Sequence, residues 1–323
     1  MATRRRFLAA LAALPALARG QGARQRRVAW FGVGAEDDYL PYIAALQDGL
    51  RDAGWHEGRN LVLSRHASAG ALDAFEPAVR EVLAAKPEIV VTQEFATLAM
   101  LRFAQGTVPV VFGFSGDPVE AKLVKSLARP ETNFTGITYL ASELVGKRIE
   151  FLRQALPGTR RIGIIARPQH PGEPEERRAS EEAARRLGVE IHYRAIFDGK
   201  DIEPAFADIR KAGCDALVVF PDYTMYRNRQ LISQLAAAAR LPAVSGWSSF
   251  ADSGLLFNYG PNLRDIYRRL GSYVDRILHG MRAGDLPVDL PRNLELVVNL
   301  RTARALHIDV APGILVRADR VID

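Results

Sequence analysis

The chain has 323 residues, 48% apolar and 25% charged, an ordinary globular mix, and its formal net charge of +6 is concentrated at one end. Residues 1–27 hold seven arginines and no acid, so the remainder carries a net −1, which removes the main support for a nucleic-acid partner. About 300 residues beyond that start exceed one hydrophobic core, so two domains are expected, and a single cysteine excludes an internal disulfide.

The first segment reads as an export signal spanning residues 1–23. Arg4, Arg5 and Arg6 precede an apolar run from Phe7 to Leu17, and Ala16-Leu17-Ala18 offers a small-residue cleavage site, with cutting expected between Ala18 and Ala23. The run is about half of the ~20 residues that span a bilayer, so it does not anchor the protein. The paired arginines before Phe7-Leu8 resemble a twin-arginine signal, although Ala9 replaces the usual lysine; an ordinary secretory signal is the alternative. Either route predicts a periplasmic protein, and with no cysteine after the signal a lipid anchor is not expected.

Strands and helices then alternate. A strand is expected around Val28–Phe31, then a helix carrying Leu40, Ile43, Leu46 and Leu50 on one face and ending at Gly54. Unbroken apolar runs at Ile89–Val91, Val110–Phe112, Ile162–Ile165 and Ala216–Phe220 suit strands buried on both faces. Asn133–Thr138 closes the first half, and a helix from Ser142 to Leu156 opens the second. Gly188 sits where a helix cap is wanted, and Cys214, at the entrance to a strand, is expected to be a buried structural thiol. Ser253-Gly254 is a turn at which the chain is expected to cross back, regaining the first lobe for the long helix Leu263–Leu278.

The two halves repeat each other. Arg26–Phe31 matches Arg160–Ile165, Glu76-Pro77-Ala78 matches Glu203-Pro204-Ala205, and Val108–Phe114 matches Leu241–Trp247, at offsets of 127 to 134 residues. The expected fold is therefore α/β: two similar parallel-sheet, Rossmann-like lobes joined by a multi-crossover hinge. The first lobe is assigned residues 24–139 plus 255–288, the second 140–254 plus 289–323. A hinge between like lobes makes a closing cleft.

Ligands of open α/β sheets bind beyond the carboxyl ends of the strands, which selects six loops. The first lobe offers Gly34, then Glu94-Phe95-Ala96-Thr97, then Phe114, Ser115 and Asp117. The second offers Arg167 and His170, then Asp222, then Trp247, with Tyr259 near the crossing. Phe114 and Trp247 occupy equivalent places, so they either stack on a ligand from opposite sides or pack against the hinge. Ala96 and Thr97 begin a helix whose free N–H groups suit a carboxylate, or merely serve a capped helix start. Glu94, Asp117 and Asp222 are candidates to pair with an ammonium, and Arg167 to clamp a carboxylate; solvated charges at the cleft rim are the alternative. Tyr259 is either hinge core or a ligand contact.

Catalytic signatures are missing from this pattern. Gly32-x-Gly34 lacks a third glycine and is followed by Glu36, Asp37 and Asp38, and Gly113-Phe114-Ser115-Gly116 departs from G-x-S-x-G. Six histidines show no metal-ligand spacing, so neither cofactor nor metal is expected.

Several stretches together resemble the substrate-binding proteins of ABC transporters, of the type that includes tryptophan- and tyrosine-uptake binding proteins. They include Gly54-Trp55-His56-Glu57-Gly58-Arg59-Asn60, Gly116-Asp117-Pro118-Val119, Asn133-Phe134-Thr135-Gly136, Gly146-Lys147-Arg148 and Tyr259-Gly260-Pro261-Asn262. The resemblance runs from Arg27 to Asp323 and implies a periplasmic-binding-protein type I fold. It also implies a monomeric, non-enzymatic receptor that closes on a small organic ligand, an amino acid or other carboxylate, and delivers it to an inner-membrane permease. A ligand-sensing module signalling to another membrane partner is the competing reading. Two departures fall in the ligand loops. Gln93-Glu94-Phe95 stands for the usual Gly-Thr-Pro, and Ala166-Arg167-Pro168-Gln169-His170-Pro171 for Trp-Asn-Pro-x-Asn-Pro. Both add charge, which turns the expectation away from a plain aromatic amino acid.

Overall fold

The computed structural model describes residues 25–69 and 72–323, so the expected export signal lies outside the described residues. The first half contains β1 (Arg26–Val33), α1 (Leu40–Asp52), β2 (Leu61–Ser68), α2 (Glu76–Ala84), β3 (Ile89–Gln93), α3 (Glu94–Ala104), β4 (Val110–Phe114) and β5 (Phe134–Thr138). Its five strands are all parallel, in the order β2-β1-β3-β4-β5. Strand periodicity sorts the side chains onto two buried faces. Val28 and Trp30 pack with Ile43, Leu46 and Leu50 of α1, while Ala29, Phe31 and Val33 pack with Val79 of α2 and Met100 of α3. Leu40, expected on the same face of α1, is exposed.

The second half repeats this layout with α4 (Ala141–Ala155), β6 (Arg161–Ala166), α5 (Glu173–Leu187), β7 (Glu190–Ala195), α6 (Ile202–Lys211), β8 (Ala216–Val219), α7 (Tyr223–Arg227), α8 (Arg229–Ala238), β9 (Ala243–Ser245), α9 (Ser248–Asp252) and β10 (Phe257–Pro261). The strand order is β7-β6-β8-β9-β10, the same as in the first sheet strand for strand. The chain continues through α10 (Leu263–Leu278), β11 (Leu294–Asn299), α11 (Leu300–Leu306), α12 (Pro312–Leu315) and β12 (Arg320–Ile322). Beyond β10 the second sheet gains β11, antiparallel to β10, and then β12, parallel to β11. Gly54 and Gly188 follow α1 and α5 with φ of +88° and +66°, the left-handed geometry that glycine adopts at no steric cost.

The place where the chain crosses back requires a correction. Residues 255–288 are expected in the first lobe, but β10 pairs with β9 and β11 in the second sheet, so 255–261 belong to the second lobe and the chain leaves it after Pro261 rather than at Ser253-Gly254. The repeat supplies the reason. β10 is the counterpart of β5, and each lobe completes its own five-strand unit before the chain crosses. The helix after each crossing belongs to the other lobe: α4 packs on α5, and α10 packs on α1. In the latter pair the backbones touch, since a β-carbon on Gly49 would fall 1.9 Å from the Arg268 carbonyl oxygen. A third crossing returns the chain from Asp289, which bridges to Ile137 beside β5, to β11. Cys214 is only half-buried, at the edge of the second core.

Candidate functional site

The carboxyl ends of β1, β3, β4, β6 and β8 meet across the lobe boundary, and their loops are in direct contact. Glu94 is the first residue of α3 and immediately follows β3. Its φ of +45° is a left-handed conformation that costs a non-glycine residue about 1–3 kcal/mol and turns the side chain back toward the cleft. Its Oε2 accepts from the Ser115 hydroxyl at 2.8 Å and lies 3.5 Å from Nε2 of His170, which also sits 3.1 Å from Ser115 Oγ. Glu94, Ser115 and His170 therefore close one buried cluster with members from both lobes, and Glu94 Oε1 has no hydrogen-bond partner.

Arg167, after β6, places its guanidinium 5.1 Å from the centre of the Phe95 ring and 4.0 Å from Oδ2 of Asp222. Asp222 caps α7, its Oδ1 accepting from the Met225 N–H at 2.7 Å. Oδ2 is left without a hydrogen-bond partner, as is Nε of Arg167. Burial raises the Asp222 carboxyl, against the lowering effect of His170, the Met225 N–H and Arg167. For His170, burial favours the neutral ring, but the bond to Glu94 and the charges of Glu94, Asp222 and Glu176 raise it above the usual histidine value.

The next residue, Tyr223, belongs to the same sequence-selected loop as Asp222 but is not among the expected ligand residues. Its ring stacks on Tyr39 of the first lobe at 5.9 Å, its hydroxyl donates to Asp38 Oδ2 at 2.9 Å, and it accepts from the Ala35 N–H at 2.9 Å. Arg227, one turn on, reaches the same Asp38 oxygen at 3.0 Å. Gly34 makes this approach possible, because a β-carbon there would fall 1.7 Å from the Tyr223 ring and the backbone φ is +82°. These contacts hold the lobes in a closed arrangement.

Behind the loops each lobe has a polar support. In the second, Arg148 of α4 is fully buried, paired with Glu176 and donating Nε to the Tyr259 carbonyl at 2.9 Å. Burial raises the Glu176 carboxyl to about 7, against the pull of Arg148. In the first, Tyr267 of α10 donates to Gln93, and Trp30 Nε1 and the Tyr139 hydroxyl lie buried without partners.

The remaining expected residues lie elsewhere. Phe114 does not reach the cleft: it is fully buried in the first core, edge-on to Phe112 at 6.2 Å. Its repeat partner Trp247 is half-buried at the lobe boundary, against Tyr226 and the first-lobe core and beside Tyr42 in an interlobe cavity, so it reaches the boundary where Phe114 does not, and the two do not face each other across a ligand. Strand lengths explain the difference. β4 runs through Phe114 and keeps it on the inward pleat, whereas β9 ends at Ser245 and Trp247 is already outside the sheet. Asp117 is exposed and caps its own turn, accepting from the N–H groups of Val119 and Glu120. Ala96 and Thr97 are buried inside α3, which begins at Glu94 and has no side-chain cap, and Thr97 bonds to Thr92. Tyr259 packs on Phe151 in the second lobe. Among the described residues no group of three or more metal-ligating side chains is assembled, and no helix is long and apolar enough to cross a membrane.

Comparison with known proteins agrees with this architecture. The family described as ABC transporter substrate binding protein matches residues 36–322. A tyrosine-binding protein of Clostridioides difficile (strain R20291) is 21% identical over 257 residues, covering 80% of this chain and 74% of that protein. A conserved domain protein from Vibrio cholerae superposes with a TM-score of 0.86 at 24% identity, over 92% of this chain and all of that one. An ABC domain in complex with L-Trp from Streptococcus pneumonia gives 0.84 at 19% identity over the same shares. With its two-lobe periplasmic-binding-protein type I fold, the chain belongs to the family of ABC transporter substrate binding proteins.

Proposed function

We propose that this chain is the extracytoplasmic receptor of an ABC importer: a monomer that closes on an amino acid or other small carboxylate and presents it to a membrane permease. The observation that carries this reading is the interlobe cluster, in which Glu94 and Ser115 of one lobe meet Arg167, His170 and Asp222 of the other while charged atoms remain unpaired. Arg167 supplies a fork for a carboxylate, the uncapped first turn of α3 supplies N–H groups of the same polarity, and Glu94 and Asp222 suit an ammonium. The tyrosine and tryptophan named for the two relatives support the amino-acid class. A ligand stabilises the closed form by its differential affinity for it, and raises folding stability by RT ln(1 + [L]/Kd). A thermal-shift screen of the amino acids and small organic acids tests this directly. At a ligand concentration 100 times Kd, stabilisation of about 2.7 kcal/mol is expected, and no shift with any compound sinks the reading.

A further inference from the structure

The repeat leaves interlobe gaps at equivalent places, one beside the crossing from β5 to α4 and one beside the crossing from β10 to α10. The first lies between the loop after β4 and α5 and holds about 750 Å³; the second lies between the loop after β9 and α1 and holds about 420 Å³. The fold itself accounts for both openings, but their linings differ. The first sets Asp117, Glu120, Glu143, Glu175 and Glu182 against Arg178, and none of its lining residues is aromatic. The second balances its charges, Asp252 and Glu295 against Arg264 and Arg320, and adds Tyr42 of the first lobe with Tyr226 and Trp247 of the second.

The acids of this second cavity already have partners. Asp252 pairs with Arg320 at 2.7 Å, and Glu295 Oε2 accepts from the Asn262 amide at 3.2 Å, while the Asn262 carbonyl oxygen caps α10. A charged ligand has to displace one member of such a pair and strand the other. A neutral hydroxyl does not, because it both donates and accepts and can bond to the oxygen that each carboxylate has left over. Ser249 Oγ, buried without a partner, offers a further hydrogen bond. Trp247 is set edge-to-face on Tyr226 at 6.1 Å, which holds its ring as a flat apolar wall.

We propose that this cavity is a second small-molecule site, separate from the proposed amino-acid site, and that its ligand is an uncharged polyhydroxylated ring, a monosaccharide or cyclic polyol. The hydroxyls bond to Asp252, Glu295 and Ser249, and the C–H face of the ring lies on Trp247. Because the walls come from both lobes, this ligand favours the closed form. It thereby tightens binding of the solute at the Glu94–Arg167–Asp222 cluster, by the same factor with which that solute tightens its own.

Calorimetric titration of the purified chain with D-glucose, D-galactose, D-ribose, D-xylose and myo-inositol, beside D-glucuronate and D-glucosamine, tests the assignment. At least one neutral compound is expected to bind with a Kd below about 1 mM, and more tightly than either charged analogue. Glu295→Ala is expected to weaken that binding about 10- to 100-fold, and Trp247→Leu to weaken it as well, with circular dichroism spectra unchanged. Should Trp247→Leu fail to fold, Glu295→Ala, which alters a half-buried group, carries the test alone. No binding of any neutral compound, tighter binding of a charged analogue, or binding that the folded variants leave intact overturns the proposal. Failure of the amino-acid screen, by contrast, sinks the receptor reading and leaves this site standing.

Discussion

The two lobes share one backbone plan and put different chemistry on it. The helix that enters each lobe after a crossing sends one large polar side chain toward the cleft. From α10 it is Tyr267, bonded to Gln93 among neutral aromatic groups; from α4 it is Arg148, ion-paired with Glu176. The loops after β3 and β8 are equivalent and both carry an acid, yet Glu94 stands in a strained conformation while Asp222 relaxes into a helix cap. Duplication thus fixed where the loops lie, and side-chain substitution decided what each holds. The second lobe, with an ion pair and a raised histidine behind its loops, is the side whose stability depends on charge.

Removing that ion pair is expected to have the largest effect. Arg148→Met leaves Glu176 buried without its cation and should cost about 3–5 kcal/mol in urea unfolding. The double change Arg148→Met with Glu176→Leu should recover most of the loss, because paired apolar replacements remove the charge that needed compensation. In the first lobe Tyr267→Phe removes only a neutral hydrogen bond and should cost about 1–2 kcal/mol. Equal losses for Arg148→Met and Tyr267→Phe would break the contrast between the lobes.

Next in size is the effect on closure. Gly34→Ala adds a β-carbon at a positive φ, which should cost about 1–3 kcal/mol of folding stability from backbone strain, and that β-carbon falls within the Tyr223 ring of the other lobe, a clash present only in the closed form, which should be disfavoured accordingly. Ligand affinity should fall about tenfold or more, with scattering profiles that stay extended. Because the clash partner is known, Tyr223→Ala in the same chain should restore part of the loss, and a double-mutant cycle measures the coupling. Strict additivity would mean that the two residues do not meet in solution.

A smaller effect should appear with pH. His170 faces Glu94 and Ser115 from the first lobe and Asp222 and Glu176 within its own, and its value is raised in the closed form. Its contribution to closure is then full below the ordinary histidine range near 6.5 and is lost as pH rises through the raised value. Ligand-free protein should accordingly open as pH climbs from 6 to 9, seen as a growing radius of gyration. His170→Gln keeps a donor for Glu94 but cannot titrate, so its radius should not move with pH. A wild-type radius equally flat would remove His170 from the closing contacts.

Much of this was legible in the chain because repeats and periodicity are local signals. The offsets of 127 to 134 residues found three of the five strand positions in each lobe, those of β1, β3 and β4 and of their counterparts β6, β8 and β9, and helix spacing placed α10 at Leu263–Leu278. The fifth strand was misassigned because Phe134-Thr135-Gly136-Ile137-Thr138 and Phe257-Asn258-Tyr259-Gly260-Pro261 share too little sequence to be matched, although they pair identically at the end of each five-strand unit. The loop rule brought Glu94, Ser115, Arg167, His170 and Asp222 together correctly as neighbours. It selected the loop Pro221-Asp222-Tyr223-Thr224 but singled out only Asp222, because the part Tyr223 plays depends on Gly34 and Asp38, 185 or more residues away, contacts that no local pattern encodes. It also missed Arg148, which lies on the apolar stripe of α4 with Leu144, Val145 and Leu152 but whose partner Glu176 sits on another helix, 28 residues on.

The smallest expected effect separates loop residues that face the cleft from those that only shape it. Asp117 lies in the same loop as Ser115, yet its carboxylate is exposed and spent on the Val119 and Glu120 N–H groups. Asp117→Ala should therefore cost about 0.5–2 kcal/mol of stability, as loss of a capping side chain does, and leave ligand affinity within twofold of wild type. Ser115→Ala, two residues away, removes the hydroxyl that joins Glu94 to His170 and should change affinity severalfold with a comparable loss of stability. If affinity instead followed Asp117 and ignored Ser115, the ligand would sit at the outer mouth of the cleft, beside Glu143 and Arg178, rather than among Glu94, Arg167 and Asp222.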